Sequence, residues 1–537
     1  MMKKIISILV LLLYTMVSYG QWTTDTDENT QVVSAASSDL MSIGTSDGKT
    51  VVVFWEVVSA PVNYELRLQV LDENGNQMLG DNGQLVSDEL PMSTSTQIMS
   101  LTIDADDNIY IGVTGTDGNV GYAFKMDTDG NHLWGDNGIN LGLGYLVKIL
   151  PLANGEAIVS WFPNSVATMQ LVDENGDFVW DTPATVENGG ATVQADMFEL
   201  SDGYLMVFHQ LLSGISSNLY AQKYNFDGES QWANPIQLAD KVSQFNRAYV
   251  GAQDGDVVYY GYSLANGTRF DSYIQRINPD GTLPWGINGS DFDTNETNYE
   301  IDTKVAFSEG SDYVWAICTY TDNTQSLRGE YIQKFDKDTG ERQFTDNAKE
   351  LFALSDQPNV HAGQFQLLND QPFFLIKSGM DNGASPVTLH ATYLDENGDF
   401  VWDEETKPIA TNEASKGRIN FTKPTNGQSV AVFVDEKPSE SNPMIYAQNI
   451  VEETMAVSDF ENASIFYNNP VGNRLTIKSE SAIKTIEIVN MLGQKIIAKH
   501  INNQLQVNLN TSSWKSGMYI MNITTENGTY KGYKLIK

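Results

Sequence analysis

The sequence predicts an all-β protein: an eight-bladed β-propeller closed by its own N-terminal strand, with seven blades as the alternative count, followed by a small C-terminal β-sandwich. Three observations carry this. A tight turn followed by a bulky residue recurs seven times between residues 21 and 450, at intervals of 46 to 59 residues, the spacing of propeller blades. Each interval also holds short alternating or apolar segments separated by Gly-marked turns, which read as antiparallel strands. Finally, charge reverses near residue 460. Residues 21–460 hold 21 basic and 65 acidic side chains, whereas Glu461 to Lys537 hold 9 and 4, and such a shift marks a domain boundary. The expected organisation is therefore 1–20 signal peptide, 21–455 propeller, 456–463 linker and 464–537 C-terminal domain.

The N-terminus reads as a secretory signal. Lys3 and Lys4 precede the apolar run Ile5 to Val17, and Ser18, Tyr19 and Gly20 form a small-x-small cleavage site. Thirteen apolar residues fall short of the ~20 that span a bilayer. No later segment is long and apolar enough to do so, which predicts a soluble, exported mature chain without a transmembrane segment. A net charge of −37 makes nucleic acid and anionic membrane poor partners. The single Cys318 excludes a disulfide framework and a thiolate-rich zinc site.

The recurring turns contain Gly75, Gly130, Gly176, Gly228, Gly281, Gly340 and Gly398. Four residues after each comes Leu79, Trp134, Trp180, Trp232, Trp285, Phe344 and Trp402 in turn. Around the fourth turn the segments Ala195 to Leu200, Tyr204 to Phe208 and Leu219 to Tyr224 supply the remaining strands of one blade. The ends of the array complement each other. Gln21 and Trp22 look like an outer tryptophan strand without its hairpin, while Gln428 to Phe433 and Ile445 to Gln448 look like inner strands without a tryptophan strand. Joining them closes the ring and leaves no exposed sheet edge. Seven complete phrases plus this composite make eight blades. In the tail, Leu475 to Ile477, Thr485 to Ile488, Leu505 to Leu509, Met518 to Ile523 and Tyr530 to Ile536 alternate as strands, with Gly493 and Gly517 at turns.

The tail resembles the type A C-terminal sorting domain of the type IX secretion system. The resemblance runs through Asn469 to Val471, Met491 to Lys495, Leu509, Gly517 to Ile520 and the basic end from Lys531. It implies handling by the type IX machinery, export across the outer membrane and removal of the tail, leaving the product secreted or on the outer-membrane surface of a Gram-negative bacterium. The repeated phrase resembles the tryptophan-docking motif of quinoprotein-dehydrogenase-like eight-bladed propellers, Asp-x-x-Thr-Gly-x-x-x-Trp. Asp336 to Phe344 fits apart from Phe for Trp. This implies a structural docking role; the quinone does not carry over, because those enzymes use adjacent cysteines. The sialidase Asp-box fails on its Gly-to-Trp spacing of three.

No catalytic, cofactor-binding or metal-ligating residue is assigned. The turns at Asp173, Asn175, Asp177 and at Asp395, Asn397, Asp399 present oxygens at alternate positions, as calcium loops do. An EF-type loop places glycine at position six and glutamate at twelve, and these have glycine at four. Calcium is retained only as an alternative to a conformational role. His132, His209, His361, His390 and His500 share no metal spacing. Among the arginines, Arg67, Arg247, Arg269, Arg276, Arg328 and Arg418 are candidates to clamp a glycan carboxylate or are scattered surface charges. Function is expected on the face carrying the loops between second and third strands, including His209 to Asn218, Ser263 to Asp271, Thr319 to Gly329, Ser378 to Thr388 and Asp435 to Met444, and the inter-blade connections 286–298 and 403–415. An acidic, amide-rich rim there suits neutral sugars, cations or basic peptides. The expected function is a non-enzymatic extracellular binding protein whose glycan or protein ligand is open. The alternative is a glycoside hydrolase or polysaccharide lyase acting at the channel mouth, and a third reading is a structural surface-layer component.

Overall fold

A computed structural model describes residues 22–59, 63–90, 92, 99–163, 165–214, 216–244, 251–380, 386–440, 442–451, 465–490, 494–515, 517–525 and 530–537. The expected signal peptide, the linker, Arg247 and Gly493 lie outside these residues. The chain divides into two compact units, Met1–Met455 and Ala456–Lys537.

In the first unit, the described strands form eight four-stranded antiparallel blades. Blade 1 is Ser37–Gly44, Thr50–Ser59, Asn63–Leu71 and Gln84–Ser87. The inner strands of blades 2 to 7 are Met99–Ile103, Tyr145–Pro151, Thr192–Leu200, Gly251–Asp254, Tyr299–Ala306 and Asn359–Leu368. Blade 8 combines residues 415–421 with Gln428–Glu436, Met444–Val451 and the N-terminal Thr30–Gln31, whose partners are Ala447 and Tyr446. The second strands are apolar on both faces because each lies between two neighbouring blades; Val51 to Trp55, for example, are wholly buried.

The glycine phrase joins one blade to the next. The bulky residue of each blade lies over the glycine turn of the following one: Leu79 on Gly130, Trp134 on Gly176, Trp180 on Gly228, Trp232 on Gly281, Trp285 on Gly340 and Phe344 on Gly398. Trp22, ahead of the strand that completes blade 8, covers Gly75 of blade 1 and donates Nε1 to the Glu73 carbonyl at 2.9 Å. At Gly228 a Cβ would come within 2.9 Å of the Trp180 ring, and φ is +77°, so both the seat and the turn require glycine. Trp402 differs. Blade 8 has no hairpin before its outer strand, and Trp402 packs in one cluster with Phe421, Tyr446 and Ile450.

The docking residues were expected within outer strands. They lie instead before them: Trp232 precedes the strand Ile236–Gln237, and Trp180 precedes Ala184–Thr185. The chain has to leave the ladder for the indole to reach the neighbouring blade. A buried glutamine three residues before the turn holds this departing segment. Gln69, Gln170, Gln222, Gln275 and Gln333 donate Nε2 to the carbonyls of Gly80, Trp180, Trp232, Gly286 and Thr345 at 2.6 to 3.2 Å. In blade 8, Gln448 does the same to the Thr23 carbonyl of the N-terminal segment at 2.9 Å. Two expected outcomes follow. Trp134→Ala should lower stability by about 3–5 kcal/mol in urea unfolding, the cost of a large aromatic cavity at this buried docking residue. Gln275→Leu should cost about 1–3 kcal/mol by leaving buried carbonyls unpaired.

Several expected loops are shorter than their sequence limits, because the hairpin ladders run further into polar sequence. Val257–Asn266 and Arg269–Ile277 are separated by two residues, and 403–415 is largely taken up by Lys407–Phe421, which pairs with blade 7 and then blade 8. Polar side chains at the tips do not stop backbone groups from pairing.

The second unit contains Ile465–Tyr467, Arg474–Asn490, Lys495–Asn510, Met518–Thr525 and Tyr530–Ile536 in one hydrogen-bonded sheet. The segments expected at 475–477 and 485–488 are one strand with a register break between Lys478 and Ile483. Before the break it pairs with 465–467, and after it with Met518–Thr525. Leu475, Ile477, Ile486, Ile488, Met521 and Leu535 from both halves share one core.

Candidate functional site

The inner strands enclose a channel of about 960 Å³. Adjoining it among blades 6, 7 and 8 is a cavity of about 420 Å³, with Lys304, Gly363 and Ile419 common to both. The cavity lies toward the face where second strands end, since Lys377 and Glu436 close the strands Gln371–Ser378 and Gln428–Glu436. All three inner strands bulge there: at Ile301/Lys304, Ala362/Gln366 and Gly417/Asn420. Asp302 (φ +60°), Gly363 (φ +70°) and Arg418 (φ +51°) take left-handed backbone at these breaks. Such bulges re-aim side chains and take a residue out of the ladder.

Charged residues of both signs line this cavity. Lys304, Lys377, Lys416 and Arg418 line it, against the carboxylates of Asp302 and Glu436. Arg418 Nε lies 2.9 Å from Asp39 Oδ1, and 56% of its side chain is exposed. Burial outweighs that attraction and raises Asp39 to about 6. Lys416 Nζ lies 3.6 Å from Asp435 Oδ2 and donates to the Val387 and Asn412 carbonyls. Both members of this pair are buried, and desolvation pulls Lys416 down and pushes Asp435 up. Desolvation also lowers Lys304, with Asp302 opposing. His361 Nδ1 faces Glu330 Oε1 at 2.9 Å, while its backbone N–H donates to Glu330 Oε2.

A second polar cluster joins blades 5 and 6. Ligand oxygens of Asp291, Asp293 and Glu300 lie within 4.8 Å of one another, the one metal-like grouping among the described residues. Its oxygens have protein partners: Tyr320 donates to Asp293, the Ser272 amide to Glu300 and Tyr273 to Asp291. Burial raises Asp291 to about 6; burial and the Asp293 charge push Glu300 well above the carboxylate range.

The residues singled out from sequence disperse. His209 Nδ1 meets Ser217 Oγ at 2.8 Å in a fully buried site, His132 Nε2 meets the Leu85 carbonyl, and His390 Nε2 meets Thr388. Arg67 pairs with Glu56 and Glu65, Arg269 with Asp271, and Arg276 with Asp338. Of the described arginines named as candidates, Arg418 is the one that lines the cavity. The lysines beside it carried no sequence signal, since Lys304 and Lys416 are 112 positions apart and come from different blades. In the turns, Asp173 Oδ1 accepts the Asn175 and Asp177 amides, and Asp395 Oδ1 accepts those of Asn397 and Asp399. These carboxylates thus have a conformational task.

The second unit matches a family model described as a secretion system C-terminal sorting domain over residues 465–537. The tail is a type IX secretion sorting domain. It directs the chain to secretion or cell-surface export. A comparison with curated proteins finds no match. Among solved structures, the chain is similar to the β-propeller domain of the Trilobed protease from Pyrococcus furiosus, with 9% identity, a TM-score of 0.40, and coverage of 71% of this chain and 98% of that one. It is also similar to Drosophila Semaphorin 2a, with 8% identity, a TM-score of 0.40, and coverage of 83% and 96%. Prolyl oligopeptidase B from Galerina marginata gives 12% identity and a TM-score of 0.42, with coverage of 77% of this chain and 57% of that longer one. At these scores the blade count rests on strand pairing. Among the described residues, no helix is long and apolar enough to cross a membrane.

Proposed function

We propose that the sorting domain delivers a non-enzymatic binding protein to the cell exterior, where the propeller presents its loop face and channel-end cavity to an extracellular glycan. In this reading residues 1–20 are the signal peptide and 464–537 are removed after export, leaving 21–455 as the active part on the outer-membrane surface or released. The observation that carries the binding role is the fixed pairing of the charged groups at the cavity: Arg418 with Asp39, Lys416 with Asp435 and His361 with Glu330. Arg418 keeps 56% of its side chain exposed while Asp39 holds its Nε, so its remaining N–H groups can meet a ligand.

The test is to screen the full chain against immobilised polysaccharides and to read both retention and newly formed reducing or unsaturated ends. Retention without product supports the proposal. New chain ends overturn it in favour of a glycoside hydrolase or polysaccharide lyase. Deleting 465–537 should leave the protein in the periplasm, measured by cell fractionation; undiminished export would contradict the assigned route.

A further inference from the structure

We propose that His361 is the side chain by which the cavity between blades 6, 7 and 8 recognises a neutral sugar, its Nε2 accepting a hydrogen bond from a sugar hydroxyl while Glu330 fixes the ring. This rests on the binding reading above and names the ligand chemistry and the recognising residue that the reading leaves open.

The ring is held from one side. Glu330 lies on the third strand of blade 6, Arg328–Asp336, and is wholly buried. Its Oε2 accepts the His361 backbone N–H and the Thr319 hydroxyl, each at 3.0 Å, and its Oε1 faces His361 Nδ1 at 2.9 Å. A carboxylate only accepts, so the proton of this last contact sits on Nδ1, and Nε2 of the neutral ring carries a lone pair. Nε2 has no hydrogen bond among the described residues and is not sealed from solvent. His361 lines the cavity, and the two ring nitrogens lie on opposite edges, so the edge away from Glu330 opens there. A ring fixed in advance by a buried partner gives up little side-chain freedom when a ligand arrives.

The other groups select a neutral polyol. Lys416 is paired with Asp435 and Arg418 with Asp39, and Lys304 and Lys377 have partners of their own. With the paired acids counted, the cavity's cations stand against Asp39, Asp302, Glu330, Asp435 and Glu436. An anion therefore gains little here, in a propeller whose acids outnumber its bases about three to one. A cationic ligand would meet the fixed lysines. What the cavity offers is acceptors: His361 Nε2 and the exposed carboxylates of Asp302 and Glu436. Sugar hydroxyls donate to such groups, and their oxygens accept from the exposed part of the Arg418 guanidinium. At about 420 Å³ the cavity falls in the ~300–1,000 Å³ range of small-molecule sites, with room for a sugar ring.

The experiment is calorimetric titration of the full chain with glucose, galactose and mannose, each beside its uronate and its amino sugar, repeated with His361→Asn and Glu330→Gln. Asparagine keeps an N–H where Nδ1 meets Glu330 and removes Nε2; glutamine keeps the volume, and its amide donates to Nδ1 so that the ring proton moves to Nε2. Both variants are checked for wild-type unfolding, and either one serves if the other fails to fold. At least one neutral sugar should bind, with its charged counterparts roughly tenfold weaker, and its affinity should fall roughly tenfold in each variant, the worth of one hydrogen bond. Side-chain nitrogen NMR of His361 should place the proton on Nδ1 in the wild type and on Nε2 in Glu330→Gln, a change that packing alone would not produce. No binding of any neutral sugar, equal binding of a charged counterpart, a wild-type proton on Nε2, or wild-type affinity in a folded variant each overturns the inference. Should the chain retain a neutral polysaccharide that both variants also retain, the inference fails while the binding function stands. Cleavage of a polysaccharide by the wild-type chain would sink the non-enzymatic reading, and the monosaccharide titrations would still decide the role of His361.

Discussion

Removing residues 22–36 should abolish cooperative unfolding of the propeller. The segment supplies the outer strand of blade 8 through Thr30 and Gln31, and Trp22 covers the blade 1 turn at Gly75. Val32 and Val33 are wholly buried in a cluster with Leu40, Phe54, Val430, Val432 and Ile445, so the same residues glue blade 8 to blade 1. Full burial of a valine contributes ~1.5–3 kcal/mol, and the two together approach the ~5–15 kcal/mol net stability of an ordinary domain. Loss of the strand also exposes an unpaired edge, an aggregation template. The measurement is urea unfolding followed by tryptophan fluorescence, with light scattering alongside. A single sharp transition at the wild-type midpoint would show that the ring does not depend on its closure. Adding the missing segment back as a peptide should restore part of the transition.

Stability should fall as pH rises from about 4 to 7. Asp39 and Asp291 have folded pKa values raised to about 6, against an unfolded value of ~3.9. Below the unfolded value these groups are protonated in both states and their contribution is at its maximum. Between 4 and 6 the unfolded chain releases its protons first, so the folded state loses on the order of 2–3 kcal/mol for each group. Glu300, pushed higher by burial and the charges of Asp293 and Asp291, extends the decline above that window. Asp47, Asp256 and Asp322 oppose this at the acid end. Hydrogen bonds hold them below the ordinary carboxylate value, Asp322 at about 2, and the stability they give disappears as pH drops below 4. The midpoint of thermal unfolding should therefore peak near pH 4. Glu300→Gln should flatten the alkaline side, raising stability at pH 8 and leaving it near wild type at pH 4. An equal loss at both pH values would mean that Glu300 acts through packing and not through its charge.

The acid cluster illustrates what sequence reasoning had no means of finding. Asp291 ends blade 5, Asp293 lies in the connection after it, and Glu300 opens the inner strand of blade 6. In the sequence they are three carboxylates among the many in an acidic chain, and their proximity follows from packing one blade against the next. The glutamine three residues before five of the seven turns, and once more as Gln448, was by contrast visible at a constant offset. Glutamine carries no strong local conformational signal, unlike the Asp and Gly beside it, so this offset has no meaning until the ladder is seen. The docking glycine and its bulky partner were legible for the opposite reason. A left-handed turn and a flat seat both demand glycine, and the requirement recurs at every hairpin.

By itself, the sequence determined the strand period, the closure by the N-terminus and the sorting tail, while strand pairing decided eight blades over seven. Each depends on local rules repeated along the chain: alternation, turn chemistry, a fixed offset from glycine to aromatic, and a change in composition. Only the tertiary structure decided where charge gathers. Lys304, Lys377 and Arg418 come from three blades and line one cavity, where Asp302, Gly363 and Arg418 turn into left-handed backbone. No one-dimensional pattern encodes that meeting, because a bulge is selected by the neighbours it packs against as much as by its own residues.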